Sequence, residues 1–386
     1  MFNFNFTEME NTSSAALLGN ETNQINDRNE DLARAEIGVS SAIFILAVFG
    51  NSTVFIVFLL RGRSLTRMHL LMLHLSAADL SVAFFNVLPQ LIWDVTYVFY
   101  GNDVICRFVK YFQLVVVYAS AYVLVMTAID RYFAICRPLV SHQWSSRTVH
   151  YMVALAWVIS LVLSLPQIYI FSYMERQPNV YDCWATFNPA WTLELYITFN
   201  SVTVYIIPII ILTFCYGRMC YSVWKRGKVG EQVASSTKVQ WNHSNMSAKE
   251  ENSPINDLIR KGDNSYRNHK LRKSDHASIQ SRQSQTRGAI PRAKVRTVRL
   301  TLTVVFCFIV CSSPFHFAQL WAAFDPHAPF TSSAYTIILL LYSLNSCTNP
   351  WIYLVFSSRM WESVKSCSRL SMCRRKRKGA PLWSVG

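Results

Sequence analysis

Seven strongly apolar segments dominate this 386-residue chain and leave it little choice of fold. A helix needs about 20 largely apolar residues to cross a bilayer. By that measure the spans run over 37–60, 69–97, 104–136, 148–171, 193–224, 296–322 and 331–356. Uncharged cores extend from Ile37 to Leu60, Val149 to Phe171, Leu300 to Phe324 and Thr331 to Ser358. In those stretches the backbone finds no water and must satisfy its own polar groups within the helix. Asp79 interrupts the second segment, Asp130 and Arg131 close the third, and Glu194 and Arg218 stand at the two mouths of the fifth. These three also read as spans. The fold class is an all-α membrane protein, a seven-transmembrane helix bundle.

Loop charges orient the bundle. Arg61, Arg63, Arg67, Arg137, Arg147 and the basic stretch 225–299 all fall on one side, which the positive-inside rule makes cytoplasmic. The opposite side receives the N-terminus, which lacks a signal-peptide pattern and carries Glu8, Glu10, Glu21, Asp27, Glu30 and Asp31. Asn5, Asn11 and Asn20 head glycosylation sequons in that tail, usable only if it is lumenal. The two signals agree on an extracellular N-terminus. Three regions follow: a glycosylated tail over 1–36, a membrane domain over 37–356, and a cytoplasmic tail over 357–386. The membrane domain includes a third cytoplasmic loop over about 225–294 that reads as disordered, polar and without helical period. The tail should open with a short amphipathic eighth helix. The net charge of +15 follows from these loops and suits attraction to anionic lipid; it does not call for nucleic acid.

Of ten cysteines, only Cys106 and Cys183 lie in segments expected to face the oxidising side, so they should form one disulfide. Cys367 and Cys373 sit beside the basic run Arg374 to Lys378, where palmitoylation and unmodified thiols are both open. Asp79 is a carboxylate near the middle of a span, for which function is the default reading and a helix-gluing hydrogen bond the alternative. Prolines 208, 314 and 350 free backbone carbonyls in segments five, six and seven and permit hinges there. No paired nucleophile and base, metal-spaced cluster, broken-helix pair or ring of pore charges points to an enzyme, transporter or channel.

These residues resemble the rhodopsin-like G-protein-coupled receptors. The resemblance spans all seven segments: Gly50-Asn51, LSAADL (Leu75 to Leu80), Cys106, Asp130-Arg131-Tyr132, Trp157, Pro208, Pro314 and Asn349-Pro350-Trp351-Ile352-Tyr353. It implies that Asp130 restrains Arg131 until helix six swings out, when Arg131 and Tyr353 serve a heterotrimeric G protein. It also implies an allosteric sodium pocket at Asp79, Ser120, Asn345 and Asn349, with arrestin and a receptor kinase as further partners. The residue often acidic in helix six is Lys294 here, so no ionic lock to Arg131 is expected. Retinal opsins need a lysine in segment seven, which has none, and aminergic receptors an aspartate where Gln113 stands.

The upper half of the bundle instead offers Gln90, Gln113, Gln167 and Gln319, with Lys110 one turn above Gln113. Four carboxamides supply donors and acceptors that suit peptide backbone; the bland alternative is hydrogen bonding between helices. As a set, with FFNVLPQLIWDVTY (Phe84 to Tyr97), CRFVKYFQ (Cys106 to Gln113), DCWATF (Asp182 to Phe187) and SLNSCTNPWIY (Ser343 to Tyr353), they resemble the vasopressin/oxytocin receptor family, and an invertebrate member of it. The resemblance implies a plasma-membrane receptor for a cyclic, amidated nonapeptide, acting through a G protein on phospholipase C and calcium. Arg28, Gln90, Lys110, Gln113, Gln167, Phe315 and Gln319 would contact the peptide. Glu36 and Asp94, at the outer ends of segments one and two, offer hard oxygens to Mg²⁺. No cofactor is required.

One departure stands out. Where the family reads Cys-Trp-x-Pro and two phenylalanines, this chain reads Cys311-Ser312-Ser313-Pro314-Phe315-His316. Either the pocket floor is repacked and still signals, or the chain binds ligand and signals weakly, as a decoy or heteromer partner. A receptor for a different neuropeptide is also open.

Overall fold

The computed structural model describes residues 30–61, 65–226, 228, 292–325, 327–328 and 332–356. Among them, six helices are long and apolar enough to cross a membrane. They are α1 (Glu30–Arg61), α2 (Arg67–Thr96), α3 (Asp103–Cys136), α4 (Ser146–Ile170), α5 (Trp191–Arg226) and α6 (Arg292–Phe324). The seventh, α7, comes as two stretches, Ser332–Ser343 and Asn345–Phe356, with a turn at Leu344 between them. Each coincides with an apolar segment. The eighth helix, the sequons and Cys367 and Cys373 lie outside the described residues.

Two differences from the sequence expectation are informative. α1 begins at Glu30, inside the region assigned to the tail. Hydropathy cannot see a polar opening turn, but Glu30 and Asp31 sit where the helix dipole favours negative charge. The fold is also not purely helical. Phe171–Gln177 (β1) and Val180–Ala185 (β2) pair antiparallel, with Asn179 at φ 64° in the connecting turn. Asparagine tolerates that left-handed conformation better than most residues. The strands are short and mix apolar with polar residues, which gives hydropathy little to read.

The Cys106–Cys183 disulfide fastens β2 to the top of α3, with Cα atoms 5.5 Å apart. Two carboxylates complete the anchorage. Asp103 accepts the Tyr173 amide at 2.9 Å, and Asp182 accepts those of Cys183 and Phe99 at 2.8 and 3.2 Å. Burial lifts the Asp182 carboxyl above its ordinary pKa, opposed by those amides and by the charges of Lys110 and Arg176.

α3 is the axis of the bundle: 83% of its apolar window is buried, against 28% for α4. Just past α5, the Lys228 ammonium lies 3.9 Å from the Trp224 ring centre.

Prolines shape the helices locally. Each of two π-turns, Ala83–Val87 in α2 and Ser201–Ile206 in α5, closes two residues before a proline, Pro89 and Pro208. A proline ring collides with the carbonyl four residues back and donates no bond, and the wider turn absorbs both effects. Pro350 instead creates a close contact: a Cβ on Gly50 would stand 2.7 Å from the Pro350 ring. Asn51 adds a hydrogen bond of 3.0 Å to the Ser346 carbonyl, just past the turn in α7. Gly50→Ala should therefore cost about 1–3 kcal/mol by overpacking, because neither backbone nor ring can yield. Thermal unfolding in detergent checks this, with Gly38→Ala, where nothing lies within 4 Å, as the unaffected control.

Candidate functional site

Polar side chains are stacked in turns down the inner faces of α2, α3, α6 and α7. A cavity of about 30 Å³ fixes the lowest level of the upper bundle, lined in part by Asn86, Val117, Ser120, Ser312, Tyr342 and Asn345. Residues four apart on a helix lie one above the other. One turn outward from Asn86, Val117 and Ser312 therefore stand Gln90, Gln113 and His316. A further turn outward brings Asp94, Lys110 and Gln319.

At that outermost level Lys110 is buried, with its ammonium 4.1 Å from the Trp93 ring centre and 5.3 Å from that of Phe171. Asp182 and Asp94 supply its negative surroundings. Gln90 donates to Asp94 at 2.8 Å, and Gln319 donates to the Tyr335 hydroxyl at 3.2 Å. Gln90, Lys110 and Asp94 are thus drawn into one cluster.

The level beneath differs, because its polar atoms are largely unanswered. Gln113 is 2% exposed, and neither its amide nitrogen nor its carbonyl oxygen has a hydrogen-bond partner among the described residues. The same holds for the Gln167 carbonyl oxygen and both ring nitrogens of His316. Buried polar groups normally find partners in the fold, which sets these atoms apart among the described residues. His316 stacks on Tyr205 at 4.7 Å, and the Tyr205 hydroxyl bonds Ser313. Phe315 stacks on Tyr342 at 4.5 Å.

Below the cavity, Asp79 is fully buried and accepts from Ser120 at 2.7 Å and Asn349 at 2.8 Å, tying α2 to α3 and α7. Of the four residues assigned to a sodium pocket, three share these bonds, and Asn345 joins Ser120 in the cavity lining. At the inner end of α3, Asp130 contacts Arg131 and also lies 3.5 Å from Arg67, whose guanidinium donates to Ser141 at 2.6 Å. Tyr132 lies against Phe214 with ring centres 5.9 Å apart, and Tyr353 is buried. Pro314 lies inside α6.

The family described as 7 transmembrane receptor (rhodopsin family) matches residues 50–353. The chain is 48% identical over 338 residues to cephalotocin receptor 1 of Octopus vulgaris, covering 88% of this chain and 81% of that protein. It is 45% identical to the annetocin receptor of Eisenia fetida, over 90% of this chain and 86% of that one. The oxytocin receptor of Ovis aries is 40% identical over 94% of this chain and 86% of its own length. The chain belongs to the vasopressin/oxytocin receptor family.

For this vasopressin/oxytocin-type receptor, motif spacing had indicated the glutamine set, Asp79 with its partners, and Asp130 with Arg131. It had not indicated Trp93, Phe171 and Asp182 around Lys110, nor Tyr335 on Gln319, nor Arg67 as a second counter-charge of Asp130. Those side chains come from other helices or the hairpin, and sequence distance hides such pairings. Arg28 lies outside the described residues. Glu36 lies in the second turn of α1 and Asp94 is buried on α2; among the described residues no group of three or more His, Cys, Asp or Glu is spaced for a metal. Lys110→Met should destabilise the receptor by roughly 2 kcal/mol through loss of a desolvated cation–π contact. Adding Asp182→Asn should restore part of that loss, since the amide oxygen still accepts from Phe99 and Cys183; thermal unfolding of the two variants decides it.

Proposed function

We propose that this chain is a plasma-membrane receptor for a vasopressin/oxytocin-like cyclic neuropeptide that activates a heterotrimeric G protein, with phospholipase C and calcium as its output. The observation that carries the reading is the level of unanswered amides, where the amide nitrogen and carbonyl oxygen of Gln113 and the carbonyl oxygen of Gln167 are buried with no partner among the described residues. Peptide backbone presents the complementary N–H and C=O groups in matching number. A ring of such a peptide would fill this level against Phe315 and His316. Gln90, Lys110 and Gln319 would meet it further out, and its tail would reach Arg28.

Arg131 serves as the G-protein contact in this reading. Asp130 and Arg67 hold the inactive arrangement, since a carboxylate between two guanidiniums resists release of either. Ser312 favours the rival reading of a decoy or heteromer partner. Against it, Arg131, Asn349 and Tyr353 are all present, and a decoy has no need of them. Arrestin, a receptor kinase and anionic lipid belong to the same proposal, as do glycans on Asn5, Asn11 and Asn20 and palmitate on Cys367 and Cys373.

Two cations fit the donor sets. Asp79, Ser120, Asn345 and Asn349 would supply oxygen ligands to a sodium ion deep in the bundle, where Ser120 and Asn349 give the carboxylate neutral partners. Sodium there would neutralise a charge that the bilayer disfavours and hold the inactive state. Glu36 and Asp94 present two hard oxygens to Mg²⁺, with water completing its shell.

Two experiments test these readings. In cells expressing the receptor, vasopressin/oxytocin-like nonapeptides should raise intracellular calcium saturably, and Arg131→Ala should abolish the rise with peptide binding kept. Saturable binding without calcium or cyclase output would leave the decoy reading standing. In membranes, replacing sodium by choline should tighten agonist affinity, and Asp79→Asn should remove that effect. Removing Mg²⁺ should weaken affinity in the parent but not in Glu36→Gln or Asp94→Asn; unchanged Mg²⁺ sensitivity in both would discard that site.

A further inference from the structure

Two imidazoles meet between α2 and α4, and neither belongs to the polar levels described above. The His74 Nε2 lies 3.2 Å from the His150 Nδ1, and the rings stand edge to face, with centres 5.2 Å apart and planes at 88°. His74 is half-buried about two turns above the cytoplasmic start of α2, and His150 is exposed about one turn above that of α4. The contact therefore lies near the inner membrane surface, within reach of cytoplasmic water. In the hydrogen bond one neutral ring donates its N–H and the other accepts. The same spacing fits a second use. Zinc–nitrogen bonds of about 2.0–2.1 Å, meeting near the tetrahedral angle, hold two donor nitrogens roughly 3.3 Å apart. The pair already stands at that separation, on two helices that pack on each other and on α3. No helix has to move to bring the donors together.

We propose that His74 and His150 form a binding site for a transition-metal ion of the zinc or copper type, entered from the cytoplasmic side, which ties α2 to α4. Imidazole nitrogen suits zinc and copper, whereas magnesium and calcium take oxygen, so this site differs in its metal from Glu36 and Asp94. On binding, the ring that donated moves its proton to its own other nitrogen through water. Both rings remain neutral, each turns a lone pair to the metal, and no proton is released. Two protein ligands are fewer than a closed structural site uses, so water completes the shell, as in open zinc sites. The exposed His150 leaves room for that water. Arg147 stands one turn closer to the cytoplasm on α4 and is exposed, so solvent screens its repulsion of the ion.

The test uses the full chain in lipid nanodiscs, without a histidine tag or peptide and with accessible thiols alkylated. Copper(II) is titrated in, and pulsed electron paramagnetic resonance counts the imidazoles on each ion. A copper population bound by two imidazoles is expected in the parent, displaced by zinc and untouched by magnesium. His74→Gln and His150→Gln should each abolish that population and weaken copper binding severalfold. His150 is exposed, so its variant carries the test even if His74→Gln does not fold. A two-imidazole signal that is absent from the parent, or unchanged in His150→Gln, overturns the site. The tie between helices is read from thermal unfolding with and without zinc. An ion that binds the folded chain raises its unfolding temperature. The shift caused by zinc should therefore be more positive in the parent than in His150→Gln, and equal shifts overturn the tie. Neither measurement needs the peptide or a G protein, so failure here is distinct from failure of the proposed receptor function.

Discussion

A carboxylate buried in the middle of a membrane bundle is tolerable only if other helices answer it, and Asp79 sets that condition here. Its two oxygens take hydrogen bonds from different helices, Ser120 of α3 and Asn349 of α7. Removing either donor would leave a charge facing hydrocarbon, so the three helices are held in one register by electrostatics before any apolar contact is counted. Asn51 extends the arrangement to α1 by bonding a carbonyl beside the turn in α7, and Gly50 lets Pro350 approach closely enough for that bond to form. Between helices, lipid supplies no hydrophobic drive, and polar bonds and close backbone approach take over.

The same bonds create the places where the helices bend. Pro89 and Pro208 widen the turns before them, and the chain at Leu344 leaves regular helix within one residue of Asn345. Each irregularity lies in the upper or middle part of the bundle, where polar side chains point inward. A bundle of unbroken helices would bury this many glutamines and asparagines only at a steep cost. With turns widened, side chains four residues apart remain aligned at the pocket while the helices beyond remain close.

The positions of the spanning helices were legible in the sequence, because a run of about twenty apolar residues is a local property. The polar opening turn of α1 was not, since hydropathy ends where the apolar run ends, whereas a helix ends where its hydrogen bonds do. The β1–β2 hairpin was missed for a related reason: Ser172, Glu175, Asp182 and their neighbours follow no alternation, and the strands are held by a disulfide and two carboxylates. The resemblance pointed to Gln90, Gln113, Gln167 and Gln319 as one set and could not separate them. Gln90 and Gln319 have partners, while Gln113 and the Gln167 carbonyl have none among the described residues. That division depends on contacts from remote parts of the chain, as does the pairing of Arg67 with Asp130 across 63 positions.

Where the family motif carries an indole, Ser312 is buried beside a cavity. An indole there would act as a rigid block whose displacement is felt by everything packed on it. Serine removes the block, but it places a hydroxyl at a point from which Asn86, Ser120 and Asn345 are all reachable across one cavity. The aromatic layer above is rebuilt at the same time: Phe315 lies on Tyr342, and His316 lies on Tyr205, whose hydroxyl is engaged by Ser313. Steric continuity has moved up one turn, from position 312 to positions 315 and 316, and polar continuity occupies the turn it left.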